Sequence, residues 1–243
     1  MAKSVAIVLA GGSGSRMGGD ENKVYLRLAN RPLLSFSLGA FNRAASIDDV
    51  VVVVREGEYD LAAEAVRLAI ATKVAAVVAG GSTRQESEWA GLDAVRDRIA
   101  SGEVDVIALH DGARPFVTES LIDAVVGRAR SVGGAVPGLP VEEPLFERTA
   151  TGFQPIDDRF VRMQTPQAFR AAALLAAHDA ARRSGDVSAA DTAETVERFG
   201  PVEIAVVAGD PNNVKVTYAN DLEVARGLAR DRNATWRALR RFE

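Results

Sequence analysis

Cysteine is absent from this 243-residue chain, and histidine occurs only twice. The first absence excludes a disulfide framework, thiolate metal sites and cysteine nucleophiles; the second leaves little room for a histidine-rich metal centre. No apolar stretch reaches the length of a transmembrane helix, so no membrane partner is expected. The opening MAKSVAIVLAGG runs from Lys3 straight into a strand-like segment with no signal-peptide cleavage pattern, and a cytoplasmic protein is expected. A formal net charge of −4 gives no electrostatic footprint for nucleic acid. Arginines do gather after Asp221, at Arg226, Arg230, Arg232, Arg237, Arg240 and Arg241, where they read as the solvated face of a C-terminal helix. Internal repeats, low-complexity linkers and shifts of composition are also missing. Any chemistry must therefore rest on Lys, Arg, Asp and backbone amides.

What is present is enough apolar material, 47% of residues, for one α/β domain spanning 1–243. Short β-branched runs recur at Val5 to Leu9, Val50 to Val54, Val74 to Val78, Val104 to Leu109 and Ala135 to Val141. Segments of helical periodicity separate them: Pro32 opens one carrying Leu33, Leu34, Leu38 and Phe41, and Leu61, Ala65, Leu68 and Ala69 mark the next. This alternation predicts βαβ units and a mainly parallel, Rossmann-like sheet flanked by helices. The periodicity lapses from Glu142 to Asp158, which reads as a protruding β-arm suited to packing on a second subunit or to a plain surface excursion.

Five segments carry candidate chemistry. The first, LAGGSGSRMG at 9–18 with Lys23 beyond it, follows the first strand. Glycines there let successive N–H groups converge on an anion, while Arg16 and Lys23 supply charge. Ala10, Gly11, Gly12 and Gly14 are the candidate nucleotide contacts. A Walker A loop would need Lys where Asp20 follows Gly19, and a dinucleotide fingerprint would need Gly or Ala at Met17; neither fits, leaving a triphosphate cradle. GGSTRQES at 80–87 offers close backbone approach and hydroxyls for a base and ribose edge, with Gly80, Gly81, Ser82 and Ser87 as candidates, although Ser82 could equally cap a helix. HDGARP at 110–115 ends a strand, placing Asp111 on the same rim, where one carboxylate among phosphates suits Mg²⁺. An Asp111–Arg114 pair bracing a turn is the alternative, and His110 reads as packed. QTPQAF at 164–169 reads as a strand leading into a helix. NNVKVT at 212–217 puts Lys215 in a short β-like run, where an isolated Lys is ordinarily solvated.

In this order and spacing the five segments resemble the methylerythritol-phosphate cytidylyltransferases and, more distantly, the ribitol-phosphate enzymes, over roughly the whole chain. The resemblance implies a homodimer formed through the arm, and Mg²⁺-dependent cytidylyl transfer from CTP to a small polyol phosphate. It implies that Arg16, Lys23 and Lys215 attend the phosphates, that Gly81, Ser82 and Ser87 surround cytosine and ribose, and that Asp111 lies beside acceptor and metal. Three positions depart from the pattern: Asn22 stands where the family has Pro, Pro144 where an acceptor-side Thr is expected, and Asp157 where an Arg is expected. Arg159 and Arg162 are the candidate substitutes on the acceptor side. Ribitol 5-phosphate as acceptor and a CTP-binding paralogue without transfer activity are the alternatives; a dehydrogenase lacks its fingerprint.

Overall fold

The computed structural model describes residues 2–12, 22–156, 160–200 and 202–239. In chain order they form β1 (Lys3–Leu9), a 3₁₀ turn at Lys23–Tyr25, the short strands β2 (Arg27–Leu28) and β3 (Arg31–Pro32), α1 (Leu33–Arg43), β4 (Asp49–Val54), α2 (Tyr59–Ala69), β5 (Val74–Ala79), α3 (Arg84–Asp93), α4 (Arg96–Ala100) and β6 (Val104–Asp111). The second half gives α5 (Glu119–Val132), β7 (Gly133–Pro140), β8 (Phe146–Thr149), β9 (Gly152–Pro155), β10 (Val161–Met163), β11 (Gln167–Arg170), α6 (Ala171–Ser184), α7 (Thr192–Phe199), β12 (Glu203–Ala208) and α8 (Ala219–Leu239). No helix among the described residues is long and apolar enough to cross a membrane.

The main sheet runs β10-β7-β11-β6-β1-β4-β5, with β12 also paired to β7. β6, β1, β4 and β5 are parallel neighbours, as the alternation of strands and helices predicts. Their uninterrupted apolar runs follow from burial on both faces. Side chains alternate along a strand, so Ala6, Val8, Val50, Val52 and Val54 enter a core with α1, α2 and α5, while Val5, Ile7, Val51 and Val53 enter a second core with α3, α6 and α7. On the second face the contact is close: a Cβ on Gly91 of α3 would lie 2.5 Å from Ile7 Cγ2.

The later strands depart from the parallel pattern. β11, from the QTPQAF segment, inserts antiparallel between β6 and β7, and β10 is antiparallel to β7. β12 has no counterpart in the sequence pattern read above; none of its residues is buried, and it lies on one flank of β7. β8 and β9 form a two-stranded hairpin that pairs with neither of the other sheets, and Phe146 and Phe153 on it are 57% and 74% exposed. This is the protruding arm, and Pro144 precedes it on an exposed segment. One local expectation is corrected: residues 211–218 around Lys215 form a turn and irregular chain, because Val216 donates its N–H to the Ala113 carbonyl at 2.9 Å instead of entering a strand ladder.

Candidate active site at the carboxyl ends of the parallel strands

Ligands of open α/β sheets bind beyond the carboxyl ends of the strands. Here that rim holds a cavity of about 440 Å³. Gly11 and Gly12 after β1, Arg55 after β4, Gly81, Ser82 and Ser87 after β5, and Asp111 and Ala113 at the end of β6 line it, joined by Lys23 and by Lys215 from far along the chain. The rim is thus walled by glycine backbone, hydroxyls and cations around one carboxylate.

Asp111 is that carboxylate, 8% exposed. Arg84 Nη1 donates to its Oδ1 at 2.9 Å, while Lys215 Nζ lies 2.8 Å and Arg114 Nε 3.6 Å from Oδ2. Burial raises the acid's pKa, but the fields of Arg84, Lys215 and Arg114 outweigh it and hold Asp111 well below the usual carboxylate range. Three cations around one anion leave the cluster net positive and ready for a phosphate. Arg114 also donates Nη1 to the Asn213 carbonyl at 2.8 Å, so it braces the turn and tethers the Lys215 segment.

Two glycine loops face this cluster. Arg55 Nη2 donates to the Gly12 carbonyl at 2.6 Å. Asn22 Nδ2 donates to the Ala10 carbonyl at 2.6 Å and to Glu58 Oε2 at 2.8 Å, while its Oδ1 accepts the Val24 N–H. The Pro-to-Asn departure at this position therefore supplies a buried tie between the first loop and the turn that carries Lys23. On the second loop α3 begins with a capping box: Thr83 Oγ1 accepts the Glu86 N–H at 3.1 Å and Glu86 Oε2 accepts the Thr83 N–H at 2.9 Å. The cap is Thr83, and Ser82 instead donates its hydroxyl to Glu86 Oε2 at 2.5 Å. Ser87 donates to the Thr83 carbonyl at 3.0 Å and lines the cavity.

The QTPQAF segment braces the site from behind. Thr165 Oγ1 accepts the Asp111 N–H at 3.1 Å and bonds His110 Nδ1 at 3.1 Å; Asn213 Nδ2 donates to the Thr165 carbonyl at 2.8 Å. Gln164 donates to the Asp210 carbonyl at 2.8 Å. Gln167 accepts the Ala193 N–H and donates to Asp191 Oδ2, fixing the start of α7. His110 is fully buried, and burial, outweighing the Asp111 charge, pushes its pKa down to about 3, so the ring is neutral and packed as the sequence suggests.

Of the sequence candidates, Gly11, Gly12, Lys23, Gly81, Ser82, Ser87, Asp111 and Lys215 come together around the cavity. Ala10 and Gly80 stand behind the lining: Ala10 is fully buried, and Gly80 packs where a Cβ would meet Ser87 Oγ at 2.6 Å. Arg162 is exposed on β10 and does not line the cavity. Gly14, Arg16, Asp157 and Arg159 lie outside the described residues. Arg55 and Arg84 were missed. Arg55 is the first residue beyond a parallel strand, a position that points to the rim. The Thr-x-x-Glu capping signature at 83–86 marks a helix start and places Arg84 in its first turn.

Among the described residues no group of three His, Asp or Glu side chains is placed to hold a metal ion. Asp111 stands as a single carboxylate whose oxygens are engaged by Arg84, Lys215 and Arg114, and it does not make a protein metal cage.

Comparison with known proteins agrees with this arrangement. The family described as IspD, 2-C-methyl-D-erythritol 4-phosphate cytidylyltransferase, matches residues 4–231. A 2-C-methyl-D-erythritol 4-phosphate cytidylyltransferase of Geotalea uraniireducens is 37% identical over 94% of this chain and 97% of its own. The crystal structure of the Thermus thermophilus enzyme of the same name superposes with a TM-score of 0.70 at 32% identity, covering 95% of this chain and all of that one. A 4-diphosphocytidyl-2C-methyl-D-erythritol synthase from Anaerococcus prevotii shares the fold with a TM-score of 0.81 at 22% identity, covering 94% of this chain and 96% of its own. With the family match running nearly end to end over a chain whose glycine loops and cations meet at one rim, the protein belongs to the 2-C-methyl-D-erythritol 4-phosphate cytidylyltransferase family.

Proposed function

We propose that the chain transfers a cytidylyl group from CTP to a polyol phosphate, 2-C-methyl-D-erythritol 4-phosphate, and releases pyrophosphate in isoprenoid precursor synthesis. The observation that carries this is the cavity itself: Gly11 and Gly12 backbone, with Lys23, Arg55, Arg84 and Lys215 disposed around Asp111, in a chain of this family. The reaction is in-line attack of an acceptor phosphate oxygen on the α-phosphorus of CTP. A phosphate monoester has a second pKa of about 6 and is already largely dianionic near neutrality, so no general base is required. The protein's task is to hold two anions together and to neutralise charge growing at the α-phosphate. Lys23 and Lys215 do this by our reading, with Arg16 from the first loop. Gly81, Ser82 and Ser87 take the cytosine and ribose edge, and Arg159 and Arg162 are assigned to the acceptor phosphate by the family resemblance, although Arg162 does not line the cavity.

Asp111 is the carboxylate nearest a bound Mg²⁺ by this reading, and with its oxygens engaged by Arg84, Lys215 and Arg114 the ion would be held chiefly by the phosphates and water. When bound, the ion would offset phosphate charge and help orient the triphosphate. The β8–β9 arm is assigned to dimer formation, because an isolated two-stranded hairpin is marginal in water and its exposed Phe146 and Phe153 gain by docking. The chain then acts as one nucleotidyltransferase domain per subunit, in the cytoplasm, on small molecules and not on nucleic acid or membranes.

The test is pyrophosphate release with CTP and a panel of methylerythritol, ribitol and glycerol phosphates. Preferential turnover of methylerythritol phosphate is expected. Efficient turnover of ribitol 5-phosphate alone would change the acceptor and leave the reaction class, a result that Pro144 on the acceptor side makes worth seeking. CTP binding without product from any acceptor would mark an inactive paralogue.

A further inference from the structure

Behind the cavity wall, Arg84 is joined to two polar side chains that the chemistry above does not use. Arg84 and Glu88 stand one turn apart on α3, and Glu88 is 1% exposed. Glu88 Oε1 lies 3.2 Å from Arg84 Nε, an ion pair without hydrogen-bond alignment, and accepts the Thr192 hydroxyl at 2.7 Å. The Thr192 oxygen accepts Arg84 Nη2 at 3.4 Å, closing a ring of three contacts between α3 and the first residue of α7. The opposite edge of the same guanidinium donates to Asp111.

A buried ion pair is a poor choice for packing alone, since apolar residues in place of both partners would hold the fold as well or better. What this carboxylate does is remove the freedom of a long side chain that ends on the site. The guanidinium is a rigid plate, so fixing its inner edge fixes the outer one. The other oxygen of Glu88 lies 3.5 Å from His178 Nε2, and burial pushes that imidazole's pKa down to about 4, so near neutrality the ring brings no second charge to compete for Glu88.

We propose that Glu88 and Thr192 are positioning residues, which hold Arg84 on Asp111 and thereby keep the Asp111–Lys215 pair aimed into the cavity; the inference rests on the cytidylyltransferase reading. It predicts an effect on turnover that passes through Arg84 and leaves CTP affinity alone.

The experiment compares full-length wild type with Glu88→Leu, Thr192→Val, Arg84→Met and the Glu88→Leu/Arg84→Met double variant. Readouts are steady-state kinetics with CTP and methylerythritol phosphate, CTP titration by calorimetry, and thermal unfolding. Glu88→Leu is expected to lower kcat by between about 10- and 100-fold, the scale for loosening a group at a reacting centre, with an unchanged CTP Kd and a lowered melting temperature, since one partner of a buried pair is removed. That loss should vanish in the Arg84→Met background, as required of two residues acting as one unit. An unaltered kcat in Glu88→Leu, or a loss that persists in full without Arg84, overturns the proposal. Should Glu88→Leu not fold, Glu88→Gln, which keeps the shape and one acceptor, enters the same cycle. If wild type makes no product, the functional reading has failed, and rotation of the Arg84 guanidinium about its Nε–Cζ bond followed by NMR then decides. Slow rotation in wild type and faster rotation in Glu88→Leu supports the positioning role; equal rotation refutes it.

Discussion

Lys215 enters the cavity on an irregular segment and meets Asp111 at 2.8 Å, with its side chain 38% exposed, so part of the ammonium faces the space a phosphate would fill. Replacing Lys215 or Lys23 with Ala is expected to lower the cytidylyl-transfer rate by at least about 10²-fold, the scale for removing one contact made to transition-state charge, while CTP binding weakens less. Stopped-flow pyrophosphate release on folded variants checks this, and wild-type turnover in either would remove that lysine from the phosphate cradle. The histidines give a second prediction at this scale. His110 and His178 have pKa values pushed down to about 3 and about 4, in both cases chiefly by burial. A depressed histidine pKa means that the unfolded chain takes up protons below about 6.5 that the folded chain refuses. The contribution is fully present above that pH and is lost as pH falls toward the folded values. The chain has two histidines, so its imidazole NMR spectrum holds two rings, and neither is expected to titrate between pH 8 and 5. Asp111 and Lys215 were legible in the sequence through strand ends and motif order. Glu88 and Thr192 were not, because a buried carboxylate announces itself only when three elements are brought together.

Helix α3 carries three features on one short element: the capping box at Thr83 and Glu86, the Ser87 hydroxyl on the cavity side, and Arg84 over Asp111. Its distance from the sheet is set by Gly91. A methyl there would stand 2.5 Å from Ile7 Cγ2 and 3.1 Å from Val53 Cγ2, so α3 would have to move outward or the strands would have to yield. Gly91→Ala is expected to destabilise the fold by about 1–3 kcal/mol, as overpacking does. It should also reduce turnover more than Gly127→Ala, where a Cβ meets nothing; paired thermal unfolding and kinetics check both. The arm belongs to this scale as well. Deleting Arg148 to Gln154 removes most of the β8–β9 hairpin and is expected to shift a dimer toward monomer in light scattering, and an unchanged dimer would place the interface elsewhere. Strands of the parallel half were readable because burial on both faces makes them continuous apolar runs. β12 was not: with Val206 54% exposed and neighbouring residues half-buried, its composition carries a weaker signal of a sheet position.

Across the whole molecule the site draws on distant stretches of chain: glycines near residue 11, Arg84, Asp111, Thr165, and Lys215. The sheet itself is complete once β12 closes on β7 at Glu203–Ala208, and the two cores on its faces are filled largely by residues before that point. The Lys215 segment is laid across the finished sheet afterwards, held by Val216 to Ala113, by Arg114 to Asn213 and by Asn213 to Thr165. Because the Lys215 segment follows the last of the described strands, a polypeptide ending near Ala208 carries all the described strands but lacks the last cation. The sheet and the completed cation set are therefore laid down by separate stretches of chain. A chain truncated at that length and free of the ribosome should be a shaped but inert precursor, and competence should arrive only with the residues that bring the final ammonium to Asp111.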